Sequence, residues 1–84
     1  MRKKTEYSVD ITHYLVNEDQ RTLGSKYWKF DTYEEAFKYF EDEIEKYQKD
    51  EAVTDIKSST KHMVKVYRQR ENKWILTMIC LNYV

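Results

Sequence analysis

Between residues 31 and 51 the apolar positions of the chain change their spacing, and that change limits the folds open to it. Tyr33, Phe37, Phe40, Ile44 and Tyr47 recur at steps of 4, 3, 4 and 3, with Ala36 beside them, which sets them on one stripe of a helix. On either side the period is 2. In "EYSVDITHYLV", residues 6–16, Tyr7, Val9, Ile11, His13 and Leu15 share one face, and Glu6, Ser8, Asp10, Thr12 and Tyr14 the other. That is the pattern of a half-buried strand. A helix and strands that are each apolar on one side must bury those sides against one another.

The boundaries follow from local chemistry. "NEDQRTLGS", residues 17–25, supplies polar turn residues and Gly24, after which "KYWKF", residues 26–30, opposes Trp28 and Phe30 to Tyr27 and Lys29, completing a first hairpin. Asp31 with Glu34 and Thr32 with Glu35 both fit a capping box, so the helix is expected over about 32–51. Its outer face offers Glu34–Lys38, Asp42–Lys46 and Glu45–Lys49 at i, i+4. "VTDIKSST", residues 53–60, reads as a loop with Ile56 tucked under. Two β-rich runs then flank "ENK", where Asn72 tolerates the positive φ of a tight turn, giving strands at about 61–70 and 74–83. With a first strand at 6–16, the expectation is an α+β, ββαββ two-layer sandwich: a four-stranded antiparallel sheet with one amphipathic helix on one face. The helix stripe should meet Val9, Ile11, Leu15, Trp28, Phe30 and one side of the last hairpin. At 84 residues, 1–84 is expected to be a single domain, because so small a core cannot be divided.

The formal net charge of zero hides a separation. Residues 31–51 hold nine acids against three lysines, a net of −6, so the remainder holds +6. Much of the positive charge lies in Lys57, Lys61, Lys65, Arg68, Arg70 and Lys73, opposed there only by Glu71. Two solvated surfaces would produce such a split, and so would two working surfaces.

The last strand is apolar on both sides: Trp74, Leu76, Met78 and Cys80 alternate with Ile75, Ile79, Leu81 and Tyr83. One helix covers one side. The other needs neighbouring side chains, a second copy of the chain joined through this strand, or a different partner.

Chemical signatures are few. One glycine excludes phosphate-binding and dinucleotide loops. His13, His62 and Cys80 are the only soft metal ligands and include no close pair, so no metal site and no cofactor are expected; each has a structural reading, His13 on a strand face and Cys80 as a small hydrophobe. A thiol in so apolar a run is expected to be inert, and the helix carboxylates lie on a convex face rather than in a cleft, so no enzyme is expected. A single cysteine and the lack of an apolar run after Met1 fit a cytoplasmic protein, and no stretch is long enough to span a membrane.

In length, lack of proline and a lysine- and tyrosine-rich usage that suggests an AT-rich genome, the chain resembles small accessory proteins of phages and mobile elements of Gram-positive bacteria. Some of those inhibit host enzymes by binding them. The resemblance implies a small protein-binding module and assigns no residue. From the residues themselves, Glu34, Glu35, Tyr39, Asp42 and Glu43 are the expected protein contacts, since a tyrosine set among carboxylates suits an interface. The alternative is nucleic-acid binding by Lys61, Lys65, Tyr67, Arg68, Arg70 and Lys73, a basic hairpin with an aromatic platform, although the sequence pI of 6.7 is low for such a domain.

Overall fold

The computed structural model of this protein describes residues 6–16 and 21–83. Its elements are β1 (Tyr7–Leu15), β2 (Arg21–Phe30), α1 (Tyr33–Gln48), β3 (Val53–Thr60), β4 (Met63–Arg70) and β5 (Lys73–Tyr83). The strands pair antiparallel throughout, in the order β2-β1-β5-β4-β3, and α1 packs across one face. The α+β class and the single covering helix are as expected, but the sheet has five strands, not four.

The extra strand is β3, where a loop was expected. Its two apolar residues, Val53 and Ile56, are three apart, which breaks the alternation that marks a strand. A bulge restores it: Val53 pairs with Arg68 and Asp55 with Tyr67, leaving Thr54 as the additional residue, so that Val53 and Ile56 both reach the core. A second irregularity falls between Ser58 and Thr60. Bulges at both ends, with only Ile56 apolar between them, suit an edge strand that must not recruit another sheet.

β2 also differs, beginning at Arg21 rather than Lys26. Gly24 is therefore a strand residue opposite His13, not part of the turn, and it lacks the positive φ a turn glycine would show. Part of the expected turn, residues 17–20, and the residues after Met1 up to 5 lie outside the described residues.

Of the two possible caps the chain uses Thr32, whose Oγ1 accepts from the Glu35 amide at 3.2 Å. The helix stops at Gln48, three residues short of the expected end, because the Asp50 carboxylate accepts from the Ala52 amide at 2.9 Å and turns the chain into β3. Of the three expected ion pairs only Glu45–Lys49 forms; Lys38 reaches Asp42 at 3.5 Å and Lys46 reaches Glu43 at 2.9 Å. At the β4–β5 turn Glu71 and Asn72 both have positive φ, 48° and 65°, as a two-residue hairpin matched to the sheet's twist requires.

The core is built by Val9, Ile11, Val64, Val66, Ile79 and Leu81 from the three middle strands, against Ala36 and Phe40 of α1. Leu15 is only half-buried, and Trp28 is 39% exposed at the margin. Leu15 lies where the sheet outruns its cover, since a helix of this length reaches ~24 Å and an eleven-residue strand ~36 Å, whereas Trp28 is level with buried Val9 but stands on the edge strand β2. No helix among the described residues is long and apolar enough to cross a membrane.

Candidate functional site

The five expected protein contacts divide between two places. Glu34, Glu35 and Asp42 are exposed on the outer face of α1. Tyr39 and Glu43 turn towards β2 instead, where the Tyr39 ring packs 5.2 Å from Trp28 and 5.4 Å from Phe30. Burial, followed by its hydrogen bond to the Glu43 carboxylate, pushes the Tyr39 hydroxyl up to about 12. Glu43 also holds Lys46, whose ammonium is raised above its ordinary value first by that hydrogen bond and then by the carboxylate's charge. Tyr39 thus closes the flank of the core.

The basic hairpin divides as well. Lys65 and Tyr67 stand on the helix-free side of the sheet, paired with Met78 and Leu76 of β5. Arg68 points the other way, into a polar cluster under the end of α1: its Nη2 donates to Thr77 Oγ1 at 3.2 Å and lies 3.5 Å from His13 Nδ1, while its guanidinium sits 5.1 Å over the Tyr47 ring. Arg70 and Lys73 flank the β4–β5 turn, and Lys61 lies in the β3–β4 turn at the opposite end of the hairpin. These six residues do not form one surface.

Thr77 is fully buried and joins this cluster, with His13 Nδ1 2.7 Å from its hydroxyl. Arginine has only donors, so the arrangement that satisfies all three groups has Thr77 accepting from Arg68 and donating to His13 Nδ1. His13 is then neutral with its proton on Nε2. Burial, then the charges of Arg68 and Lys26, lower its pKa below the usual 6.5. The Arg68 Nε is buried without a hydrogen-bond partner.

His13 also lines a cleft of about 340 Å³ between the second half of α1 and strands β1 and β2, together with Ile11, Lys26, Trp28, Tyr39, Glu43, Lys46 and Tyr47. His62 serves packing: its Nε2 lies 3.0 Å from the Tyr33 hydroxyl, and its ring meets Tyr33 and Phe37 edge-on. Cys80 pairs with Asp10 and Met63 on the helix-free side, so the sheet separates its thiol from His62 and no cysteine–histidine pair can form. Burial, with a smaller contribution from the Asp10 charge, raises the Cys80 thiol pKa.

The helix-free face carries an apolar stripe along β5. β5 is the middle strand, hydrogen-bonded on both edges to β1 and β4, so joining two copies edge to edge through the last strand is excluded and only its face is open. Leu76, Met78 and Cys80 are half-buried there by neighbouring side chains, and Trp74 is 41% exposed. Tyr14, Val16, Leu76 and Met78 line a depression of about 280 Å³ on this face. Cross-strand polar contacts bound the stripe on the β2 side: Asn82 to Asp10 at 2.7 Å and Thr12 to Ser25 at 3.1 Å. Lysines bound it on the other side, Lys65 directly opposite Lys57, which lies 5.6 Å over Tyr67 and 3.8 Å from Asp55. The double alternation of β5 signals this face in the sequence; Tyr14 and Val16 carry no such mark. No family model, curated protein or solved structure matches the chain.

Proposed function

We propose that this chain is a small non-enzymatic protein-binding module that docks its partner on the helix-free face of the sheet. The observation that carries this reading is the depression lined by Tyr14, Val16, Leu76 and Met78, towards the β4–β5 turn end of a face that no described element covers. Interfaces concentrate their energy where an apolar side chain enters such a hollow and water is excluded around it. Lys65, directly opposite Met78, stands beside the depression without a carboxylate partner among the described residues. The partner that fits is a polypeptide presenting a bulky apolar side chain beside Asp or Glu. Covering a surface that the partner needs would make the module an inhibitor, and the acidic outer face of α1 would then remain exposed in the complex.

The test is to pan a random peptide library against the immobilised protein and against a Met78→Lys variant with an unchanged melting curve. Enrichment of apolar–acidic sequences on the wild type alone supports the reading. Equal enrichment on both proteins overturns it, as does salt-sensitive retention of a labelled single-stranded oligonucleotide without any peptide enrichment.

A further inference from the structure

The cleft beside α1 is separated from the proposed docking face by the thickness of the sheet. Its polar groups are mostly donors. Lys26 has no carboxylate partner among the described residues, and His13, with Nδ1 taken by Thr77, has Nε2–H left to offer. The one carboxylate, Glu43, is already engaged by Lys46 and by the Tyr39 hydroxyl. The remaining lining residues are Trp28, Tyr39, Tyr47 and Ile11, which add aromatic and aliphatic carbon to a cleft whose surface is otherwise polar. Behind Tyr47 lies the Arg68 guanidinium, which has no carboxylate partner among the described residues and whose Nε is buried unpaired. A partly buried cation without a counter-ion destabilises the empty protein, and an anion nearby relieves that cost. The charged groups lining the cleft itself are Lys26 and Lys46 against Glu43, with Arg68 behind Tyr47.

We infer that this cleft binds a small aromatic carboxylate, its ring against Trp28, Tyr39 and Tyr47 and its carboxylate on Lys26 and the Nε2 edge of His13. The volume of about 340 Å³ accommodates one or two fused rings and lies at the small end of ligand sites. The aromatic walls favour a planar apolar body over a bare phosphate, which would leave them unused.

The experiment is a titration of the ¹⁵N-labelled protein with 2-naphthoate, using neutral 2-naphthalenemethanol as the control. The proposal predicts saturable amide shifts centred on Ile11, His13, Lys26 and Trp28, with the alcohol at least about tenfold weaker, the effect of one charge-assisted hydrogen bond. Lys26→Gln, at an exposed position, should weaken naphthoate about tenfold while Lys26→Arg retains it. Shifts that never saturate or spread over surface lysines, equal binding of the alcohol, or an unaffected Lys26→Gln variant would each overturn it.

Discussion

Arg68 donates to the Thr77 hydroxyl at 3.2 Å on the helix-facing side of the sheet, and that contact removes it from the surface formed by Lys65 and Tyr67. Its role is therefore tied to the fold. Arg68→Ala is expected to lower stability by about 1–3 kcal/mol through the lost charge-assisted bond and the uncovered Tyr47 ring. Arg68→Met, which keeps the apolar stem and removes the orphaned Nε, should recover most of that loss. Urea melts of the two variants check this; equal losses would show that the stem contributes nothing.

Phe40 is 3% exposed and sits where α1 meets the three middle strands. Phe40→Ala should cost ~3–5 kcal/mol, enough to unfold most of a domain this small. A loss near ~1 kcal/mol in thermal melts would contradict the packing of α1 described above.

The β4–β5 turn is held by two residues with side chains where the left-handed conformation favours Asn followed by Gly. Replacing Glu71 and Asn72 by Asn and Gly should stabilise the protein by about 1 kcal/mol, because each residue with a Cβ is strained there. An unchanged or lower melting temperature would mean that the turn is not of this type.

His13 has a lowered pKa in the folded protein, so between that value and the usual 6.5 the unfolded chain binds more protons. The sign follows: stability attributable to His13 is complete above about pH 6.5, declines as the pH falls through this window, and levels off below the folded value. Histidine NMR titration should give a His13 midpoint below 6.5 that rises in Arg68→Met, since one of the repelling charges is gone. A midpoint at or above 6.5 in the wild type would contradict the buried cluster.

The sequence made the helix, the middle strands and the second hairpin turn legible because each obeys one period or one local rule. The sustained 4, 3, 4, 3 spacing of Tyr33, Phe37, Phe40, Ile44 and Tyr47 puts all five on one face only of a helix, and Asn72 marked its own turn. β3 was hidden because a bulge changes the spacing of Val53 and Ile56, and a bulge is specified by the partner strand rather than by the residues in it. The position of β5 at the centre was equally illegible, since strand order depends on contacts between the ends of the chain. That order decides the site: the same apolar strand at an edge would offer hydrogen bonds, but in the middle it offers only a face. Tyr39 was misplaced for a related reason, as helical spacing puts it beside the carboxylates while β2 reaches up to cover it.

The most direct measurement of the central claim is cross-saturation from an unlabelled peptide, selected by the panning described above, to the deuterated, ¹⁵N-labelled protein. The account predicts loss of amide signal along β5 and its neighbours, at Tyr14, Val16, Leu76 and Met78, and a binding loss of about thirtyfold for Val16→Lys or Met78→Lys, the size of one interface hot spot. Saturation centred on Glu34, Glu35 and Asp42, with the β5 amides unaffected, would contradict it and make the acidic outer face of α1 the working surface.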